Sequence, residues 1–142
     1  FGLLVHAVLA EVPLDAPRRV VDDIAAVQGR VLGASERDAM AAAAVVERVL
    51  THDLLTRARL ATERDACRRE TPVTLTLVDG TVVEGIVDLA FEENGRWTVV
   101  DYKTDRELAA AGEDRYRRQV AIYASAIAKA TGQAVRGVLV RV

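Results

Sequence analysis

The sequence is poor in cysteine and in aromatic residues, and each shortage narrows what it can be. Cys67 is the single cysteine among 142 residues. One thiol makes no internal disulfide and no Cys-rich metal site. It also excludes a four-cysteine iron–sulfur cluster within the chain, and it suits a reducing cytoplasm. Aromatic residues are only 4% of the chain, so the core must be built from Val, Leu, Ile and Ala. No apolar run approaches the roughly 20 residues of a membrane helix. The start, Phe1-Gly2-Leu3-Leu4-Val5-His6, shows neither a charged leader nor a cleavage site. Beginning with Phe rather than Met, the chain reads as a piece of something longer. Positive charge is not in excess either: the net charge is −2 and the pI about 5.7. Nucleic-acid-binding domains are usually basic, so local clusters count for more here. Arg68-Arg69 and Arg115 with Arg117-Arg118 are those clusters, although most such arginines simply coat a solvated face. No G-x-x-x-x-G-K-[ST] loop occurs, so the chain carries no ATPase of its own.

What remains is an ordinary globular composition, 51% hydrophobic and 28% charged, of a length that suits a single domain. The chain changes character near residue 67, with a helical part over 1–67 and a mixed αβ part over 68–142. Gly2 to Glu11 has helical spacing and stops at Pro13; Pro17 opens a second helix that runs to about Leu32 and ends at Gly33. Ser35, with Asp38 three residues on, caps a third helix reaching Leu50. Its run Ala39 to Val46 is apolar enough for burial. A fourth helix should extend to about Cys67, with His52 at its boundary. Beyond it the period becomes two. Strands are expected over about 70–78, 81–91 and 96–104, joined by turns at Asp79-Gly80 and Asn94-Gly95. A helix over Glu113–Ala130 and a strand over 135–142 complete the chain. The last strand is nearly continuous in Val and Leu and should be buried on both faces. A helix between strands implies a crossover, so the fold class is α/β with a mixed central sheet and flanking helices.

Acidic residues inside strands need a reason, because charge is rarely buried without a partner or a metal. Asp101 follows Val99-Val100, and Lys103 leaves the same face about 6.6 Å further along the strand. Tyr102 points the other way. Asp88, in the preceding strand, lies as far from the Asn94-Gly95 turn as Asp101 does, so the two acids should face each other across the ladder. Two facing carboxylates repel unless a cation lies between them. Such a hard oxygen site favours Mg²⁺ or Mn²⁺, which can polarise a phosphate oxygen and activate water. Lys103 would steady the attacking hydroxide or the charge that develops on the phosphate. Pattern alone leaves another reading open, in which Asp101 and Lys103 form a surface ion pair on an exposed edge. Glu84, about 13 Å along the strand from Asp88, is too far to share an ion and reads as structural.

Gly85-Ile86-Val87-Asp88-Leu89, followed by Val100-Asp101-Tyr102-Lys103-Thr104, resembles the G-x-x-D…D-Y-K-[ST] signature of RecB- and AddA-type nuclease domains of the PD-(D/E)xK superfamily. Tyr116-x-x-Gln119-x-x-x-Tyr123 resembles that family's Y-x-x-Q-x-x-x-Y helix. Glu70-Thr71-Pro72-Val73 is similar to its E-x-P-[FV] strand opening, and His6 matches its upstream histidine. The resemblance spans nearly the whole chain and implies a restriction-endonuclease-like core. It implies His6, Asp88, Asp101 and the backbone carbonyl of Tyr102 as metal ligands, with Lys103 as the catalytic lysine. Gln119 and Tyr116 would border the site, sharing a helix face with Tyr123. The activity implied is Mg²⁺- or Mn²⁺-dependent hydrolysis of DNA, by exonuclease or endonuclease action. Its setting would be a helicase-nuclease of double-strand-break repair and recombination. A helicase motor in the same full-length chain would feed single-stranded DNA to the site, and a second nuclease or helicase subunit is a possible partner. Residues 12 to 67 match no motif of the family.

Other readings stay open for several residues. A lone His in an apolar helix is more often packed than ligating, Glu70 could hold a water or simply start a strand, and Tyr116 and Tyr123 could be core-edge aromatics. At the level of function, the rivals are a catalytically silent DNA-binding or assembly module of the same fold, and a nuclease acting on RNA or branched DNA.

Overall fold

A computed structural model describes residues 1–142. They form two compact units, Phe1–Leu60 (to which the terminal Val142 also belongs) and Ala61–Arg141.

The first unit holds α1 (Gly2–Glu11), α2 (Arg18–Val31), α3 (Glu36–Leu50) and most of α4 (Asp53–Thr62). α1 packs on α2 and α3, and α2 packs on α3. α1 is apolar almost all round, which places a helix in an interior; Leu4, Val5, Val8 and Leu9 are buried. On α3 the buried stripe is Ala39, Ala42, Ala43, Val46 and Val49. Small residues let α2 and α3 approach closely: a Cβ on Gly29 would stand 3.1 Å from that of Ala39. Ser35 caps α3 as its sequence suggests, its hydroxyl accepting the Asp38 N–H at 3.1 Å. His52 does mark a helix boundary, since its Nδ1 accepts the N–H of Leu54 at the start of α4. α4 ends at Thr62 rather than near Cys67. The chain turns there through Asp65, at φ 54°, and Cys67 already opens a strand. Burial pushes the Cys67 thiol above its ordinary pKa.

The second unit is built on β1 (Cys67–Thr76), β2 (Val82–Glu93), β3 (Arg96–Lys103) and β4 (Ala134–Arg141), in the spatial order β1-β2-β3-β4. The first two junctions are antiparallel and β3–β4 is parallel. α5 (Asp105–Ala111) and α6 (Glu113–Thr131) make the crossover that a parallel pair requires. The fold is therefore α/β with a mixed sheet, as the sequence pattern implies. At the first hairpin the Asp79 carboxylate accepts the Thr81 N–H at 2.9 Å, a bond that holds its pKa below the usual carboxylate range. At the second, Asn94 and Gly95 both take positive φ, 52° and 75°, as a tight hairpin turn demands.

Two expectations need correction. β4 is half exposed rather than covered on both faces, because it is an edge strand with β3 as its one neighbour. α5 is a helix that the hydrophobic pattern does not announce; it starts at Thr104 through a capping box, with the Glu107 carboxylate accepting the Thr104 N–H at 2.8 Å.

α6 packs across β1, β3 and β4, and its Tyr123 and Ile127 form a buried cluster with Val87, Ala90 and Val99 of the sheet. Gly137 on β4 lies hard against α6, since a Cβ there would collide with Val120 Cγ1. Val120 is β-branched and stiff, so it cannot swing aside. Gly137→Ala is expected to lower stability by about 1–3 kcal/mol in urea unfolding. Adding Val120→Ala should recover part of that loss, and a strictly additive double variant would contradict the packing argument.

Candidate active site at a fork in the sheet

The strand ladders stop at different places. β2 pairs with β1 along its length up to Phe91, from Thr76↔Val82 to Cys67↔Phe91. β2 pairs with β3 only from Glu93↔Arg96 to Leu89↔Val100. β3 continues alongside β4 as far as Lys103↔Arg141. Past Leu89 and Val100 the sheet therefore forks, with β2 going on with β1 and β3 with β4. Asp88 and Asp101 are the first residue on each prong.

The polar groups at the fork pair with one another, although Asp101 Oδ2 is held by an ion pair and not by a hydrogen bond. Asp88 Oδ2 accepts the backbone N–H of Tyr102 at 2.7 Å, so a side chain from β2 reaches the backbone of β3 beyond the last rung. Asp101 is 2% exposed and Lys103 is 7% exposed. Lys103 Nζ lies 2.7 Å from Asp101 Oδ2 and donates to the Tyr102 carbonyl at 3.0 Å. Nζ also stands 5.0 Å from the centroid of the Tyr116 ring on α6, within cation–π range. Asp101 and Lys103 thus share the face that α6 covers, as their two-residue spacing predicts. The open alternative of a surface ion pair is half right: the pair exists, but it is buried, where charge is tolerated only with close partners. Tyr102 turns its ring to the interior; burial first, and the Asp88 carboxylate second, push its phenol well above the ordinary value.

Glu70 stands opposite Asp88 on the other side, between the paired rungs Arg69↔Leu89 and Thr71↔Val87. Its own rung is missing from the ladder, and its φ is +45°, a conformation uncommon outside glycine. Glu84 is exposed and pairs with Thr74. On α6, Gln119 Nε2 donates to Tyr123 Oη at 2.6 Å. His6 lies half-buried on α1, in the first unit. The basic clusters are partly engaged, Arg68 with Asp65 and Arg117 with Glu113.

Gly85 belongs to this arrangement too, and a glycine inside a strand is its signal in the sequence. A Cβ on Gly85 would fall 2.4 Å from the Tyr123 hydroxyl. The glycine of the G-x-x-D segment is therefore the gap into which Tyr123 packs, and Tyr123 in turn holds Gln119. A glycine inside a strand often marks such a close approach.

No group of three or more His, Cys, Asp or Glu side chains gathers where a metal would be held. A small hard cation does not need one, since Mg²⁺ commonly takes one or two carboxylates and completes its shell with water. Asp88, Asp101 and the Tyr102 carbonyl are hard oxygens at one fork, and that donor chemistry fits such an ion.

A paired-acid and lysine cluster at a forked sheet coincides with the result of comparison with known proteins. Residues 1–142 match the PD-(D/E)XK nuclease superfamily over their whole length. The chain belongs to that superfamily. It is also similar to an ATP-dependent helicase/nuclease subunit from Lysinibacillus sphaericus (strain C3-41), with 39% identity over 74 residues. That similarity covers 42% of this chain and 6% of the relative. Together these findings support the RecB- and AddA-type assignment that the motifs suggest.

Gly85→Ala is expected to destabilise the nuclease fold by about 1–3 kcal/mol, because the Tyr123 ring must move. The variant should show altered near-ultraviolet tyrosine dichroism as well as a lower urea midpoint. Wild-type stability with an unchanged tyrosine signal would show that the gap is not needed.

Proposed function

We propose that this domain hydrolyses DNA phosphodiester bonds with Mg²⁺ or Mn²⁺ and that it works as the nuclease of a helicase-nuclease in double-strand-break repair. The observation that carries this reading is the buried Asp101–Lys103 pair beside Asp88 at the fork. Burying a carboxylate and an ammonium beside a second, half-buried carboxylate is expensive for stability alone, and catalytic sites are where such clusters are found. The superfamily match supports the nuclease chemistry, and the relative's name supports the helicase setting.

Asp88, Asp101 and the Tyr102 carbonyl would hold the ion, with His6 as a proposed further ligand. A bound divalent cation supplies Lewis acidity toward the phosphate and neutralises charge on the leaving oxygen. The rest falls to the chain. Lys103, beside the Tyr116 ring, presents a cation to the negative charge that grows on the phosphate. Tyr116 fixes the ammonium from the α6 side. Gln119, held by Tyr123, is proposed to orient the attacking water or to touch the DNA backbone, and Glu70 to support the site from β1. Single-stranded DNA is the proposed substrate, fed by a motor in the same full-length chain. A cytoplasmic location and a second nuclease or helicase subunit complete the proposal. No helix in the structure is long and apolar enough to cross a membrane.

The test is cleavage of labelled single-stranded DNA with Mg²⁺ or Mn²⁺ against a chelator control. Metal-dependent cleavage is expected, and none with any divalent ion would refute the nuclease reading for this chain. Lys103→Ala should lower cleavage by roughly 10²-fold or more, the scale on which a single charge-stabilising group acts, while calorimetry still detects metal binding. Asp88→Asn should weaken both cleavage and metal affinity; unaltered affinity would rule out direct ligation by Asp88.

A further inference from the structure

The Lys103 ammonium touches two of the oxygens proposed as metal ligands. Nζ lies 2.7 Å from Asp101 Oδ2 and 3.0 Å from the Tyr102 carbonyl oxygen. These are charge-assisted contacts in a buried setting, where the low local dielectric makes them strong. The side chain is not held there by these oxygens alone, because the Tyr116 ring faces the ammonium from α6 at 5.0 Å. The cluster thus offers a cation a ready-made position, and the chain supplies that cation itself.

We propose that Lys103 is an internal competitor for the metal: a divalent ion enters by displacing its ammonium from Asp101 Oδ2 and the Tyr102 carbonyl. This rests on the metal-dependent reading above and adds a property to it. A ligand that binds only the arrangement in which its oxygens are released has its apparent affinity reduced by the fraction of molecules in that arrangement. The lysine therefore sets the threshold of metal concentration at which the site fills. It also couples filling to function. The displaced ammonium, still tethered beside Tyr116, is released toward the space in front of the acids, where a phosphate would lie. The same side chain guards the ligands before metal entry and becomes available to substrate afterwards.

The competition is measurable without any cleavage assay. Lys103→Met removes the ammonium and keeps an unbranched apolar side chain. Calorimetric titration of the whole chain with Mg²⁺ and Mn²⁺ should show roughly tenfold tighter binding in the variant. Equal or weaker affinity in a variant that circular dichroism shows to be folded would overturn the proposal. Because Lys103→Met leaves Asp101 buried without its ammonium partner, the variant could fail to fold, and a second measurement uses the wild-type chain. In ¹⁵N-lysine spectra at low temperature, a buried, hydrogen-bonded ammonium exchanges slowly and gives a protected signal. Saturating Mg²⁺ should abolish that protection, with the same midpoint as the calorimetric titration. Protection that survives saturation would overturn the proposal even if Lys103→Met binds metal more tightly, because through-space repulsion would then suffice. If wild type and variant both bind no divalent ion, the metal-dependent reading itself fails, which is a separate outcome from bound metal with a protected lysine.

Discussion

The site depends on how the backbone of Tyr102 is shared. Its N–H goes to the Asp88 carboxylate across the fork, and its carbonyl accepts from Lys103 on its own strand. In a continuous sheet both groups would be spent on ladder partners. Here the β2–β3 ladder has already ended at Leu89 and Val100, and a strand that loses a neighbour leaves polar groups that must be satisfied by other means. Asp88 meets that need from one prong. The consequence is electrostatic as well as structural, because a carboxylate used as a backbone acceptor is fixed beside Asp101. Lys103 then becomes necessary to hold the second carboxylate in a place that is almost wholly buried.

Much of this was legible in the sequence, for identifiable reasons. Asp101 and Lys103 sit at i and i+2 in a run of β-branched residues, and the period of a strand puts them on one face. The Asn94-Gly95 turn fixes the hairpin, and with it the equal spacing of Asp88 and Asp101 from the loop. Tyr116, Gln119 and Tyr123 share a helix face by the same kind of counting. These are local rules, and the structure obeys them: Lys103 meets Tyr116, and Gln119 meets Tyr123.

What escaped the sequence depends on neighbours that periodicity cannot identify. An apolar run such as Val138-Leu139-Val140 looks doubly buried, yet strand order leaves β4 at an edge and half exposed. The fork is invisible in the pattern, because residues on both sides of it keep alternating as strand residues do. Glu70 adopts positive φ without the glycine that would announce it. Gly85 was visible as a motif letter, but its cause, the ring of Tyr123, is 38 positions away in the sequence. Thr104 and Glu107 had the spacing of a capping box, but the helix they open is only seven residues long. An apolar stripe is hard to recognise over so short a span.

Charge explains how an acidic chain can act on a polyanion. The whole molecule carries a net −2, which gives no general attraction to phosphate. At the fork, two carboxylates and one ammonium leave a single negative charge, and under the proposed chemistry one divalent ion converts it to a single positive charge. That sign change is confined to a few ångströms of low-dielectric surface, where it outweighs a diffuse net charge screened over about 8–10 Å of salt solution. An accessible fork without the ion would therefore repel the backbone it is meant to cut. Recognition of phosphate and readiness for chemistry become the same event, and the lysine pinned between Asp101 and the Tyr102 carbonyl is the group whose position separates the two states.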